Sequence, residues 1–310
     1  MGVSKEIVCV GLCTYRRPGM LQKALNSFAK VELPEGVRTI LLVSDNEEGN
    51  EENLEIFEMF RTSVPFECRF LQEPRKGFTN NRNRLIDTSV ELGAHYLLIF
   101  DDDQTLDTNW MKELLACRQQ YDATAVRGKV VYNYPKNMQM SSDIFEVFNN
   151  RKVYRTGDVL ETSGDGNSLL DVQFLEKHSL RLNERYNDVG GSDALMFYQM
   201  ADLGGKLVYC EEAISYEEVP ESRATDQWAL QRMFRAGYTR YLMQKHRLGT
   251  GRALHKNLSF WIKRRWRYFF DKLNHRVSAG QLAVDKAYLD GILAAILGRS
   301  FSEYDQIHGY

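Results

Sequence analysis

The sequence is poor in cysteine chemistry. Its five cysteines, Cys9, Cys13, Cys68, Cys117 and Cys210, are scattered and odd in number. They form no Cys-x-x-Cys pair and no Cys/His cluster, which excludes the common zinc modules, and no framework points to an oxidising compartment. They read as buried free thiols. The net charge of −2 excludes nucleic-acid binding as the main business of the whole chain. No apolar run is long enough to span a bilayer. The N-terminus enters a strand almost at once, without a signal-peptide pattern, and no internal repeat or low-complexity segment is seen. These absences predict a cytoplasmic protein, soluble or peripheral on the inner face of the cell membrane. Its 310 residues, 43% of them hydrophobic, suffice for one large α/β domain or a domain with an appendage.

What is present is alternation. Strands are expected at 7–12, 39–44, 66–71 and 96–100, separated by helices. The first helix carries Met20, Leu21, Ala24, Leu25 and Phe28 on one face. An acidic helix follows the second strand to about Phe60, and a third helix spans about Asn80 to Leu92. Short links between such elements mean parallel strands with crossovers. The second half is less regular. It has strands at 125–132 and 206–210, a Gly-rich loop from Gly164 into a short strand, and a helix at 194–203. The segment 133–155 gives no clear signal.

The strand Tyr96-Leu97-Leu98-Ile99-Phe100 runs directly into Asp101-Asp102-Asp103. Three ionised carboxylates in a confined site repel one another, and a divalent cation or a set of donors resolves that repulsion. Open α/β sheets also bind ligands at the carboxyl ends of their strands. The competing reading of the cluster alone is a solvated acidic turn.

Further features stand in order around it: Thr14-Tyr15, Asp45-Asn46, Gly77 leading into Asn81-Arg82-Asn83, then Gly190-Gly191-Ser192-Asp193, and Gln231-Arg232-Met233-Phe234-Arg235-Ala236-Gly237. In this order and at these spacings the chain resembles the family 2 glycosyltransferases with the GT-A fold, closest to bacterial members that build surface polysaccharides. The resemblance covers residues 5–245 and continues more weakly through 298–304. It implies an α/β fold with a mostly parallel central sheet flanked by helices. A catalytic domain would span 1–245, with a nucleotide-binding half to about 105 and an acceptor half beyond it. A helical basic and aromatic region would span 246–310.

The resemblance also implies roles. Thr14 and Tyr15 would lie at the nucleotide base, and Asp45 would accept from the uracil ring N–H; an Asx turn is the plainer reading of Asp45-Asn46. Arg82 matches the Arg of the family's Ala-Arg-Asn motif, with Asn81 in place of Ala, and a guanidinium fork suits the pyrophosphate or the acidic cluster. Asp101 and Asp103 fill the outer positions of Asp-X-Asp. Asp101 would contact the ribose or the metal's water shell, and Asp103 would ligate Mg2+ or Mn2+, both hard ions. Asp102 would support the loop and be the most replaceable. Asp193 is the candidate catalytic base at a helix N-terminus; an N-cap is its plainer reading. The family's commoner form has Glu before this Asp and a second Asp two residues after it, where this chain has Ser192 and Leu195. Arg232 and Arg235 would close over the donor diphosphate. The His that many relatives supply as a further ligand is missing from Tyr216-Glu217-Glu218-Val219-Pro220-Glu221.

From Arg252 to Arg276 the charge is almost wholly positive, with Leu254, Leu258, Trp261, Trp266, Phe269 and Leu273 at helical spacing. That composition suits an anionic membrane surface, and equally a helix docked on the protein with a basic outer face. The expectation is an inverting, metal-dependent transferase moving a sugar from a nucleotide-diphospho-sugar, a UDP-sugar first, to a glycan or lipid-linked acceptor. Two other classes compete. One is a GT-A-like module that binds without transfer. The other is a sugar-1-phosphate nucleotidyltransferase, which would need the glycine run that Thr14-Tyr15-Arg16-Arg17-Pro18 lacks.

Overall fold

The computed structural model describes residues 5–149, 152–274 and 277–301. In chain order the elements are β1 (Glu6–Thr14), α1 (Pro18–Phe28), β2 (Val37–Asp45), α2 (Glu51–Ser63), β3 (Glu67–Gln72), α3 (Phe78–Glu91), β4 (Tyr96–Asp101), β5 (Gln104–Leu106), α4 (Trp110–Tyr121) and β6 (Ala125–Asn133). They continue with α5 (Ser142–Asn149), β7 (Val159–Leu160), β8 (Ser168–Asp171), α6 (Val172–Lys177), α7 (Ser192–Asp202), β9 (Leu207–Glu218), α8 (Asp226–Leu248), α9 (Thr250–Leu273) and α10 (Ala279–Ile296). Two compact units result. The first takes residues up to Asn133 with Tyr154–Asn187 and Ser192–Glu218; the second takes the described residues of Tyr134–Val153, Asp188–Gly191 and the chain from Val219 on.

The first unit is built on one sheet in the order β3-β2-β1-β4-β8-β6-β9-β5, with β7 beside β9. The pairs among β1 to β4 are all parallel, as the strand–helix alternation predicts. Beyond β4 the sheet is mixed. β8 runs antiparallel to both β4 and β6, and β6 and β9 pair in parallel. The last strand runs much further than residues 206–210. A register shift between Gly128 and Lys129 carries the ladder past Glu211, Glu212 and Ala213. That charged interruption hides the strand's continuation from a reading of apolar runs.

Alternation within the strands fills both faces of the sheet. Val8, Val10, Leu12, Leu98 and Phe100 meet Leu21, Leu25 and Phe28 of α1, Phe57 of α2 and Trp110 of α4 on one side. Cys9, Leu97 and Ile99 meet Leu85 and Ile86 of α3 and Phe197 of α7 on the other. Burying each such side chain is worth about 1.5–3 kcal/mol, enough to fix the strand ends where the acidic residues emerge. α1 buries Leu21, Ala24, Leu25 and Phe28, starting at a Pro in its first turn. Met20 stays half-buried at the edge of that face. Asn50 caps α2 by accepting from Asn53 N–H, and Glu51 and Glu52 suit its first turn. Of the five free cysteines, Cys9, Cys117 and Cys210 are buried, whereas Cys13 and Cys68 are partly exposed.

The second unit is helical. Gly237 of α8 and Gly291 of α10 allow the two backbones to touch: a Cβ on Gly237 would run into Tyr288 O, and one on Gly291 into Phe234 O. The segment that gave no sequence signal contains α5, whose Ile144 packs with Ala229 and Val284. Beyond α10, Phe301 rests on Phe234 and Tyr238, and Tyr238 Oη donates to Arg299 O at 2.8 Å. The family-like tail past Phe301 lies outside the described residues, as does Arg276.

Candidate active site

The carboxyl ends of β1, β2 and β4 lie side by side, because Thr14 pairs with Asp45 and Cys13 with Asp101. Asn81, in the first turn of α3, ties these ends together by donating to Thr14 O and Ser44 O. Asn46 fixes the following loop: its Nδ2 donates to Glu73 O and Arg75 O, and its Oδ1 accepts from Gly77 N–H. Gly77 has φ 126°, and a Cβ there would strike Asn187.

One residue further along α3 from Asn81, Arg82 is the electrostatic centre. Its side chain is wholly buried. Nη2 bonds Asp101 Oδ1, Nε lies 3.0 Å from Asp165 Oδ2, and the guanidinium covers the ring of Phe78. Burial disfavours its charge, but Asp165 and Asp101 overcome this and hold it firmly protonated.

The three aspartates divide sharply. Asp101 is the most open, at 34% exposure against 7% for Asp102 and 11% for Asp103. Asp101 N–H donates to Gln104 Oε1, which tightens the turn. Asp102 faces inward. It accepts from Thr14 Oγ1 at 3.0 Å and from Arg17 Nη1 at 3.1 Å. Burial pushes its carboxyl up to about 7, against the pull of Arg17. The replaceable member expected from sequence is thus the most enclosed, because its side chain closes the space between β1 and the turn. Asp103 lies 3.9 Å from Arg17. Its carbonyl accepts from Glu218 N–H, and Glu217 stands opposite Gln104 in the sheet. The stretch without a histidine therefore runs beside the acidic turn.

Asp193 sits in the first turn of α7. Gly190 and Gly191, at φ 72° and 86°, make the turn before it. Thr79 Oγ1 bonds Ser192 Oγ at 3.1 Å, and Thr79 N–H donates to Asn187 Oδ1 at 2.9 Å, so α3 holds both ends of this turn. Ser192 replaces the family's Glu with a short, buried hydroxyl.

The loop Gly164–Asn167 joins the two sides. A Cβ on Gly166 would collide with Asp101 Oδ2, and one on Gly164 would stand 3.2 Å from Asp193 Oδ2. Between them Asp165 is buried at 3% exposure. Burial pushes its carboxyl up to about 7; Arg82 opposes this, and the charges of Asp193 and Asp101 add to it. Asn167 anchors the loop from behind at φ 62°, accepting from Trp110 Nε1 and donating to Lys129 O and Ala213 O. Arg127 Nη1 donates to Gly164 O.

Thr14, Asp45, Arg82, Asp101, Asp103 and Asp193 thus lie in one unit. Tyr15 is half-buried beside Thr14, with Arg16 over its ring. Asp45 is fully buried; Oδ2 accepts from Asn53 Nδ2 and Oδ1 from Glu47 N–H, which is an Asx-type turn. Burial pushes Asp45 upward, partly countered by these hydrogen bonds. Arg232 and Arg235 lie on α8 of the second unit, the first exposed and the second half-buried. Sequence reasoning missed Arg17, Asp165 and Asn167. The spacing Gly164-Asp165-Gly166-Asn167 carried the available signal, since paired glycines mark a close approach of backbone.

Residues 9–178 match the family described as Glycosyl transferase family 2. The chain belongs to this family. As a glycosyltransferase it is similar to the succinoglycan biosynthesis protein ExoM of Rhizobium meliloti (strain 1021), at 30% identity over 230 residues, 74% of this chain and 72% of that one. Its GT-A fold is shared with solved structures at lower identity. The mannosyltransferase PcManGT from Pyrobaculum calidifontis, in complex with GDP-Man and Mn2+, aligns with a TM-score of 0.60 at 12% identity, covering 94% of this chain and 88% of that chain. S. aureus TarS 1–349 in complex with UDP aligns with a TM-score of 0.52 at 14% identity, covering 97% and 94%.

Proposed function

We propose that this glycosyltransferase moves a sugar, with inversion at the anomeric carbon, from a nucleotide-diphospho-sugar to a glycan or lipid-linked acceptor in bacterial polysaccharide biosynthesis. One observation carries the reading. The loop Gly164–Gly166 abuts Asp101 at one end and Asp193 at the other. A donor-side carboxylate and an acceptor-side carboxylate thereby border one short stretch of backbone.

In this reading Asp193 takes the proton from the acceptor hydroxyl as it attacks, opposite the departing diphosphate. Arg82 sets the orientation of Asp101, and Thr14 with Arg17 holds the acidic turn. Thr14, Tyr15 and Asp45 border the nucleoside, Asp101 faces the ribose side, and Arg232 and Arg235 serve the diphosphate. A UDP-sugar is the first donor to test, with Asp45 as partner to the uracil N–H.

The donor set fits Mg2+ or Mn2+. Asp101 and Asp103 present hard carboxylate oxygens in one acidic turn, and Asp101 is 34% exposed, open to an ion and its water. Among the described residues no three Asp, Glu, His or Cys side chains converge to hold a metal. Hard cations of this type take several ligands from water and substrate phosphate. Asp103, with Asp101, would hold it, and when bound the ion would neutralise charge on the leaving diphosphate. ExoM's description as a biosynthesis protein of succinoglycan supports the polysaccharide context.

The test is a thermal-shift screen of UDP-, GDP- and dTDP-sugars with Mn2+. A Mn2+-dependent shift with one nucleotide class, lost in Asp103→Ala, is expected. Failure of every nucleotide-sugar to bind would overturn the reading. Binding without any transfer would favour the non-catalytic module.

A further inference from the structure

α9 has one packed side and one bare side. Ala253 and Asn257 are buried, Trp261 Nε1 donates to Leu289 O at 3.1 Å, and Arg264 pairs with Asp285 at 2.8 Å. Phe260 meets the ring of Tyr288 edge-on. At about 100° per residue these positions share one side of the helix. Trp261, grouped with the apolar stripe by its sequence spacing, therefore turns inward onto α10.

Leu258, Ile262, Trp266, Phe269 and Leu273 fall within roughly 80° of one another on the other side. Their exposures are 42%, 43%, 61%, 55% and 64%. One exposed leucine needs no explanation, but a continuous strip over four turns does. Exposed cations border it along both edges: Arg265 and Lys272 on one, Arg252 and Lys263 on the other. The helix has one acidic residue, Asp271, which lies toward the packed side and pairs with Arg267 at 3.5 Å. Two copies of this strip face to face would set cation against cation. A surface that is apolar within and anionic at its rim matches it in both respects.

We propose that this face of α9 lies in the interface of an anionic lipid bilayer, parallel to its plane. Trp266, Phe269 and Leu273 enter the acyl boundary, and the flanking Lys and Arg side chains meet the phosphate headgroups. The helix lies on the membrane and does not cross it, since no helix among the described residues is long and apolar enough to do so. The proposal does not depend on the transfer chemistry.

The experiment is co-sedimentation of the full chain with phosphatidylglycerol-containing vesicles and with phosphatidylcholine vesicles. Binding to the anionic vesicles, weakened by salt, is expected. Trp266→Ala with Phe269→Ala, and separately Lys263→Glu with Arg265→Glu, should each weaken it about tenfold or more. All four side chains are exposed, so unchanged melting temperatures are expected, and donor-induced thermal shifts should persist. A blue shift of tryptophan fluorescence on anionic vesicles, lost in Trp266→Ala, gives a second reading. Equal binding to both vesicle types, or no binding by the folded chain, would overturn the proposal. So would a dimer in light scattering that the Trp266→Ala, Phe269→Ala variant dissolves, because the strip would then belong to a second copy.

Discussion

Arg82 Nε lies 3.0 Å from Asp165 Oδ2, with the two side chains at 0% and 3% exposure. The same guanidinium bonds Asp101. One buried cation therefore sets the position of two carboxylates that the chain brings together from β4 and from the loop before β8.

Removing that cation takes from Asp101 and Asp165 the guanidinium that lies against both. Arg82→Ala should lower stability by about 3–5 kcal/mol, the usual cost of breaking a buried ion pair from one side. Arg82→Lys keeps the charge without the fork and should fall between the two. Urea denaturation measures both. An Arg82→Ala variant within about 1 kcal/mol of the parent would contradict the arrangement.

Backbone proximity makes a separate prediction. Gly166→Ala forces the Asp101 carboxylate to move, whereas Gly164→Ala places its methyl at tight contact with Asp193. Transfer should fall about tenfold to a hundredfold in Gly166→Ala, because small misplacements of positioned groups cost that much. Gly164→Ala should lose less. Equal, unimpaired kcat in both would remove the loop from the site.

The triple Asp offers a third. Asp102 is fastened by Thr14 and Arg17, so Asp102→Ala should cost about 1–3 kcal/mol by leaving those donors unpaired. Asp102→Asn keeps an acceptor for Thr14 and should cost less. Thermal melts of the two variants decide it; an Asp102→Ala protein as stable as the parent would return Asp102 to the replaceable role that its middle position suggests.

Much of this was legible in the sequence. Apolar runs gave β1 to β4, and the face Leu21, Ala24, Leu25 and Phe28 gave α1, because local pattern and burial agree there. Arg82 and Asp101 came from the family pattern, and the structure joins them directly. Asp165 was passed over because it looks like one more acid in a Gly-rich loop. Its importance arises from contacts across long sequence separations, with Arg82 and beside Asp193, that no local pattern encodes. The extension of β9 was hidden for the opposite reason. Its charged residues Glu211 and Glu212 sit where the register shifts and are not bound to the alternation. Asn167 reads as a turn residue, but its side chain bonds three partners in the core.

The helical unit is open to its own test. Gly237→Ala or Gly291→Ala would push a methyl into a facing carbonyl. Each should destabilise α8 against α10 by about 1–3 kcal/mol, as overpacking does. Hydrogen exchange localised to these helices reads the effect, and unchanged protection in both variants would contradict the close crossing.

We propose that Asp193 is the base and Asp103 a metal ligand in nucleotide-sugar transfer. This is tested most directly by Mn2+-dependent release of nucleoside diphosphate from the donor found by thermal shift, measured for the parent, Asp193→Asn and Asp103→Ala. The parent should turn over and stop when the metal is chelated. Asp193→Asn should keep its donor-induced thermal shift and lose turnover by about a hundredfold or more, and Asp103→Ala should lose both. Turnover by Asp193→Asn within about twofold of the parent, or parent turnover indifferent to chelation, would contradict the account.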